Sequence, residues 1–329
     1  MLKAIATVLE QFEQSDLAEK VRLEHAIRQL LALSNQVPHP AQGQTLLRWQ
    51  ILAQVAASNL NLVKWFESHL DALSILNELQ YPNHQTGLWA VWAAEGSSQP
   101  VTFEHGRCTG LKNWCSGAGI VDHGLMTYKD HHHQSQLLMV DMREQGIQIR
   151  PSGWHALGMQ YTQTSALYFD QVKAEKVGAP NAYLNRAGFW HGAAGVAACW
   201  FGAALRLAGY LIQAAKTNPH DFKHMYLGEV ITAVETTRQL FYALARKLDE
   251  APHLSHELAV RILRAQTEST AELILKNVGK ALGARPYCED KQFAQLSTDL
   301  PVFLRQSHAA FDLKRIGELV AEESNLWQL

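Results

Sequence analysis

The first quarter of the chain carries apolar residues at the spacing of amphipathic helices. They recur every three or four positions up to about Asn83, as at Ile5, Val8, Leu9 and Phe12, which is the period that places them on one face of a helix. A loop rich in proline and glycine interrupts the pattern near residues 38–43. The pattern therefore predicts an N-terminal helical domain over residues 1–84.

The middle of the chain has a pattern typical of β-strands. Between about Thr86 and Val177 the apolar runs are short and rich in β-branched and aromatic residues, and clusters of Gly, Pro, Asn, Asp and His separate them. The runs read GLWAVWAA, VTFEH, GLMTY, QLLMVDM and SALYFD. Because no helical pattern lies between them, they predict an antiparallel β domain, a sandwich or a barrel, over residues 85–177.

Helical spacing returns from residue 178 to the end. The stretch Ala193–Ala215 is long enough to cross a bilayer, but it consists largely of Ala and Gly with Arg206 in its middle, so we interpret it as a buried central helix. Further helices are predicted from Asn218, from Ser255 or His256, and from Leu300 to Glu323. The result is a C-terminal four-helix bundle over residues 178–329, and the predicted fold class is α+β.

Composition and charge exclude several classes of protein. Apolar residues make up 47% of the 329 residues, which rules out intrinsic disorder. The net charge of −2 argues against nucleic acid or an anionic membrane as the main partner. Four widely spaced cysteines form no CxxC pair, and the N-terminus has no apolar signal-peptide run. We therefore expect a cytoplasmic protein without a membrane span.

Local motifs alone indicate little chemistry. His131, His132 and His133 lie between two strand candidates and are interpreted as an exposed hairpin tip. His220 and His224 have zinc-clamp spacing but no identifiable third ligand, so no metal site is predicted. The glycine pair of Gly117-Ala118-Gly119 is followed by an extended run and not by a helix, which favours a turn over a dinucleotide loop.

Three segments between Thr109 and Leu207 follow the motifs of one enzyme family. Gly110–Ala118 (GLKNWCSGA) is similar to a Gly-x-Lys-x-Trp/Phe-Ile-Thr/Ser-x-Ala/Gly strand. Leu157–Thr164 (LGMQYTQT) is similar to a Leu-Gly-x-Arg-x-Ser/Thr-x-Thr turn, and Ala166–Val172 (ALYFDQV) to the Val-x-Phe-Asp-x-Val strand that follows it. By these motifs residues Thr109 to Leu207 resemble the acyl-CoA dehydrogenase family, and the helical, β, helical order agrees with that family along nearly the whole chain.

The resemblance implies a flavoprotein whose FAD is completed by a second subunit, and hence a homodimer or homotetramer. Trp114 and Ser116 match the strand that covers the isoalloxazine ring, where an indole packs on the ring and a hydroxyl or N–H bonds its N5 edge. Thr162, Lys280 and Gly283 are further candidates for contacts with the cofactor. The implied substrate is an acyl-CoA or a related small molecule.

The sequence departs from the family at the catalytic base. The family reaction removes a proton α to a thioester with a glutamate while hydride leaves the β carbon for flavin N5. One expected glutamate position holds Ser307 and the other falls at Gly192. His308 and His191 are the candidate replacements, since imidazole titrates near neutrality.

Other segments that contact FAD in the family are also changed here. Val91–Ser98 replaces the Thr-Glu-Pro-x-x-Gly-Ser-Asp segment, and Lys280–Ala284 replaces Gln-x-x-Gly-Gly. Three functions stay open: a flavin-dependent acyl-CoA dehydrogenase, a flavin-dependent monooxygenase of the same fold, and a non-catalytic member.

Overall fold

The computed structural model describes residues 1–82, 86–151 and 153–321, in two compact units. Unit 1 comprises Met1–His39 and Asn61–Phe189, and unit 2 comprises Pro40–Leu60 and the described residues from Trp190 onward. The predicted boundary between residues 84 and 85 lies outside the described residues. All described strands fall between Trp89 and Val177, whereas the division into three domains stays a prediction.

Unit 1 holds the β structure and most of the N-terminal helices. Its helices are α1 Leu2–Glu13, α2 Glu19–Ser34, nearly all of α4 Leu60–Glu78, and the short α5 Ala182–Asn185. Its strands are β1 Trp89–Trp92, β2 Thr102–Glu104, β3 Arg107–Cys115, β4 His123–Lys129, β5 Ser135–Asp141, β6 Ile147–Arg150, β7 Ser165–Lys173 and β8 Glu175–Val177.

The strands form two four-stranded sheets, in the orders β1-β4-β5-β8 and β2-β3-β7-β6. The predicted β domain is confirmed, with one correction to its strand directions. Strands β1 and β4 run parallel, and every other pair is antiparallel. The parallel pair arises because the chain leaves the first sheet after β1, forms β2 and β3 in the second, and only then returns as β4.

The core of unit 1 lies where α4 packs on the first sheet. Ala72, Ile75 and Leu76 of the helix contact Trp89 of β1 and Leu125 of β4, all at most 2% exposed. They follow the helical spacing on α4, whereas β4, covered on both sides, is buried at all but its last position. The histidine run between β4 and β5 forms the predicted hairpin tip, closed by Asp130 Oδ1 accepting from the backbone N–H groups of His132 and Gln134.

Unit 2 consists of helices, most of them long. They are α3 Thr45–Ser58, nearly all of α6 Gly188–Thr217, α7 Asp221–Glu250, α8 Glu257–Leu282, α9 Arg285–Glu289, α10 Lys291–Leu304 and α11 Ala310–Ala321. Helix α6 is the expected central helix, and alanines such as Ala197 and Ala203 on it are fully buried. Among the described residues α6 alone is long and apolar enough to cross a membrane, and 67% of its most apolar window is buried inside the protein.

Two helix boundaries differ from the sequence expectation. The predicted last helix from Leu300 corresponds to the end of α10 and to α11. Helix α10 begins earlier than predicted, at Lys291, because Asp290 caps it: the Asp290 side chain accepts from Phe293 N at 2.8 Å. Residues 305–309 then turn the chain into α11; the predicted end at Glu323 lies outside the described residues. Helix α7 begins after His220 instead of Asn218, because the His220 ring accepts from Phe222 N.

The four cysteines give a prediction about reactivity. All are free thiols, three are buried and Cys288 is exposed. Burial raises the pKa of Cys108 and of Cys115 to about 12, so both stay protonated and unreactive in the native protein. A thiol reagent at about pH 8 is therefore expected to label one thiol per native chain and all four after unfolding. Cys288→Ser should abolish the native reaction; a second rapidly labelled thiol would contradict the burial.

Candidate functional site

Trp114 stands on a β-bulge. Lys112 pairs with Leu167 and Cys115 with Ser165, so two residues of β3 oppose the single Ala166 of β7. The bulge puts Trp114 at φ +60°, a left-handed conformation that is unusual for a large side chain. A bulge re-aims a side chain, and strained backbone concentrates at functional sites. The indole is consequently 52% exposed while Cys115 beside it is fully buried.

Two polar links hold the bulged strand against the other sheet. Lys112, 4% exposed, donates from Nζ to the Thr127 carbonyl oxygen at 2.6 Å and to its Oγ1 at 3.0 Å. Burial lowers the pKa of this ammonium, and the carboxylate of Glu95, 3.7 Å away, acts in the opposite direction. Trp92 Nε1 donates to the Ser116 carbonyl oxygen at 3.0 Å. The strand is thus anchored on both sides of Trp114, at Lys112 and at Ser116.

The turn before β7 lies against the end of this strand. The Thr162 carbonyl oxygen accepts from Gly117 N at 2.8 Å and from Trp65 Nε1 of α4 at 2.9 Å. The Thr162 hydroxyl is buried, donating to the Met159 carbonyl oxygen at 2.8 Å and bonded to the Thr164 hydroxyl. The structure therefore brings Thr162 next to the Trp114–Ser116 segment, where its hydrogen bonds shape the turn.

The remaining predicted residues belong to unit 2. His191 is 2% exposed and its Nε2 lies 2.9 Å from the Leu254 carbonyl oxygen. His308 is exposed in the turn between α10 and α11, and its backbone N–H donates to Asp312 Oδ2 at 3.3 Å. Ser307, partly buried, accepts from Ala309 N at 3.0 Å. His191 therefore already has a backbone partner, whereas the imidazole of His308 is open to solvent.

The two candidates for the outer part of the cofactor lie at the end of α8. Lys280 is exposed in its last turn, and Gly283 follows as the C-cap at φ +68°, donating its N–H to the Gly279 carbonyl oxygen. A side chain at Gly283 would meet no atom within 4 Å. Both positions are open to an approaching molecule.

Sequence reasoning missed Arg264, which joins two of these regions. This guanidinium, 6% exposed, donates to the Ala193 carbonyl oxygen of α6 at 2.7 Å and to the Gln306 carbonyl oxygen at 3.2 Å, and it lies over the Trp200 ring. It thereby fastens the turn that carries Ser307. An arginine within a helical pattern carries no sequence signal of this role, because only the folded bundle determines what it reaches.

Replacing Arg264 by methionine is expected to lower the free energy of unfolding by about 1.5–3 kcal/mol, the range for hydrogen bonds made by a charged group. Amide hydrogen exchange in residues 305–309 should accelerate as well. The matched control is Arg305→Met in the same turn: its guanidinium is 58% exposed and pairs with Glu268 and Glu272, which are 12% and 57% exposed, so solvent screening should keep the loss below about 1 kcal/mol. Equal losses in the two variants would contradict the bridging role.

Comparison with known proteins identifies the architecture. No protein-family model and no curated protein matches the sequence. A solved structure of TdsC from Paenibacillus sp. A11-2, in complex with FMN and indole, is similar at a TM-score of 0.79 and 12% identity, with 97% of this chain and 96% of that chain covered. A glutaryl-CoA dehydrogenase from Mycobacterium smegmatis, in complex with FADH2, matches at a TM-score of 0.79 and 13% identity over 99% and 95%. The chain has the acyl-CoA dehydrogenase fold. The predicted α+β class with a C-terminal bundle is thereby confirmed.

Oxygenases occur among the similar structures as well. The methanesulfinate monooxygenase MsuC from Pseudomonas fluorescens matches at a TM-score of 0.77 and 17% identity, over 98% of this chain and 95% of that chain. TdsC itself is a dibenzothiophene monooxygenase. The acyl-CoA dehydrogenase fold therefore carries both dehydrogenation and oxygenation, and the fold alone does not select between them.

Proposed function

We propose that the chain is a flavin-dependent oxidoreductase whose flavin ring packs on Trp114. The observation that carries this proposal is the bulge on β3, which strains the backbone and turns a large indole outward from an otherwise buried strand. Leaving so much apolar ring surface in water has a free-energy cost that a flat aromatic ligand would remove.

The neighbouring groups suit a flavin. Ser116 is 5% exposed, and its carbonyl oxygen accepts from Trp92 Nε1 at 3.0 Å. A hydroxyl two residues from the indole would bond the polar edge of a ring that lies on that indole. Bound flavin supplies the hydride- or electron-accepting centre, while Trp114, Ser116 and the fastened strand would position it.

FAD is the cofactor that the resemblance implies. The indole of Trp114 would bind FMN equally well, because FAD and FMN share the isoalloxazine ring. FAD also needs contacts for its pyrophosphate. Lys280 and the open backbone at Gly283 are the proposed groups, with Lys280 acting as a point charge.

For dehydrogenation of an acyl thioester, the proposed base is His308. Its imidazole is exposed in the protomer, whereas Ser307 lacks a group that takes up a proton near neutrality. His191 is the weaker candidate because its Nε2 already contacts a carbonyl oxygen. The implied substrate is an acyl-CoA or a related small molecule.

A flavin-dependent monooxygenase is the second candidate. The observation that favours it is the absence of a carboxylate at both expected base positions, Ser307 and Gly192. Such a reaction with O₂ needs no glutamate directed at a thioester.

The proposed function is tested first by flavin binding, and then by asking whether the bound flavin is reduced by a thioester or reacts with O₂ when reduced. The purified protein is titrated with FAD and with FMN while protein fluorescence and the visible spectrum are recorded; no binding at tens of micromolar of either would overturn the proposal and favour a non-catalytic protein. The flavin-loaded protein is then mixed anaerobically with acyl-CoA thioesters. Bleaching of the flavin supports dehydrogenation, whereas incorporation of oxygen from ¹⁸O₂ into indole or a sulfinate by the pre-reduced protein supports oxygenation.

A homodimer or homotetramer is part of the proposal. The small residues of α6 do not support it, because Gly195 and Gly202 face α3 within unit 2. The support is instead an exposed apolar pair on α7, Phe222 and Met225, which are 63% and 55% exposed. Sedimentation of the wild type and of a Phe222→Glu variant tests this directly, and a wild-type monomer would contradict it.

A further inference from the structure

We infer that Trp154 is a positioning residue that holds the indole of Trp114 ready for the flavin. The inference rests on the proposed function for its ligand, but the contact between the two tryptophans is open to measurement without any ligand. Trp154 belongs to none of the segments that carry the resemblance.

The two rings meet edge to face. Their centroids lie 6.1 Å apart at an interplanar angle of 72°, within the range in which aromatic pairs attract one another. Trp114 is half exposed, so on a bulge it would otherwise exchange between rotamers. The contact with Trp154 restricts that exchange, while about half of the Trp114 side chain stays accessible.

Trp154 is itself anchored. Its Nε1 donates to the Gly158 carbonyl oxygen at 3.3 Å, which closes a short loop. Gly158 leads directly into the turn whose Thr162 carbonyl oxygen accepts from Gly117 N and Trp65 Nε1. Trp154 is therefore connected, through Gly158 and the turn at Thr162, to the end of the strand that carries Trp114. The same hydrogen-bonded turn thus positions both indoles.

A fixed indole binds a flat ring more tightly than a mobile one, because less side-chain freedom is lost on binding. One aromatic contact corresponds to about a two- to tenfold change in population. We therefore expect Trp154→Ala to weaken flavin binding about two- to tenfold. Trp154→Phe keeps an aromatic edge but loses the bond to Gly158, so its effect should be smaller.

The contact is tested first in the flavin-free protein. Two coupled indoles produce an exciton couplet in far-ultraviolet circular dichroism. The difference spectrum of wild type minus Trp154→Phe should therefore coincide with that of wild type minus Trp114→Phe. Leu157→Ala, an exposed apolar residue in the same loop, is the control and should leave the couplet in place. Two unlike difference spectra would overturn the pairing.

The positioning role is tested by a double-mutant cycle on flavin affinity. If Trp154 acts through Trp114, adding Trp154→Ala to Trp114→Ala should cause no further loss. A further loss of the same size would overturn the inference, because Trp154 would then act on its own. So would unchanged affinity in Trp154→Ala. If the wild type binds no flavin, the proposed function and this role both fail, whereas a failed couplet in a flavin-binding protein removes only the role of Trp154.

Discussion

Replacing Gly202 by alanine is expected to lower the free energy of unfolding by about 3 kcal/mol or more, the upper range for overpacking. A Cβ there would lie 2.5 Å from the Cα of Ala53 and 2.6 Å from its carbonyl carbon. These are backbone atoms of α3, so no side chain can move aside. The helices α3 and α6 would have to separate within unit 2, and thermal or urea unfolding measures the loss.

Gly209 on the same helix is the matched control. A Cβ there meets nothing within 4 Å, so Gly209→Ala should raise stability by about 0.5–1 kcal/mol through helix propensity alone. The opposite signs of the two changes separate close packing from propensity. A similar gain in both variants would show that α3 and α6 do not approach this closely.

Replacing Trp114 by alanine is expected to weaken flavin binding about 5- to 150-fold, the equivalent of about 1–3 kcal/mol for one aromatic stacking partner. The stability of the protein should change little, because about half of the side chain is exposed already. Fluorescence titration with FAD and FMN measures the affinity, and thermal unfolding measures the stability.

Ile149 provides the control for this second change. It lies on β6 in the same sheet as β3, and it is 54% exposed, close to the value for Trp114. Ile149→Ala should leave flavin affinity unchanged. Equal flavin affinities in Trp114→Ala and the wild type would show that the flavin ring does not pack on Trp114, even if flavin binds elsewhere.

The candidate site was only partly accessible from the sequence. Trp114 and Ser116 stand out through a local motif that includes Lys112. The bulge that aims the indole was not predictable, because it is a register shift between β3 and the distant β7. Arg264 and Trp154 were missed for a similar reason: each acts through partners that only the folded chain places beside it.

The helices were likewise only partly predictable from the sequence. Apolar spacing located α1 correctly, since a buried face imposes its period on the sequence. The central helix α6 was located instead by its length and by its many Ala and Gly residues. The start of α10 was predicted too late, at Leu300: the helix begins at Lys291 after the cap Asp290, and Pro301 lies in its last turns.

By itself the sequence determined the order of helical, β and helical segments, because burial of one face leaves a period of 3.6 or 2 in the chain. It also has serine at position 307 and glycine at position 192, where the resemblance places the glutamate base. Only the tertiary structure decided that β1 and β4 pair in parallel, that a bulge turns Trp114 outward, and that Arg264 joins α6 to the turn at Gln306. These features depend on contacts between residues far apart in the chain, and local periodicity contains no information about such contacts.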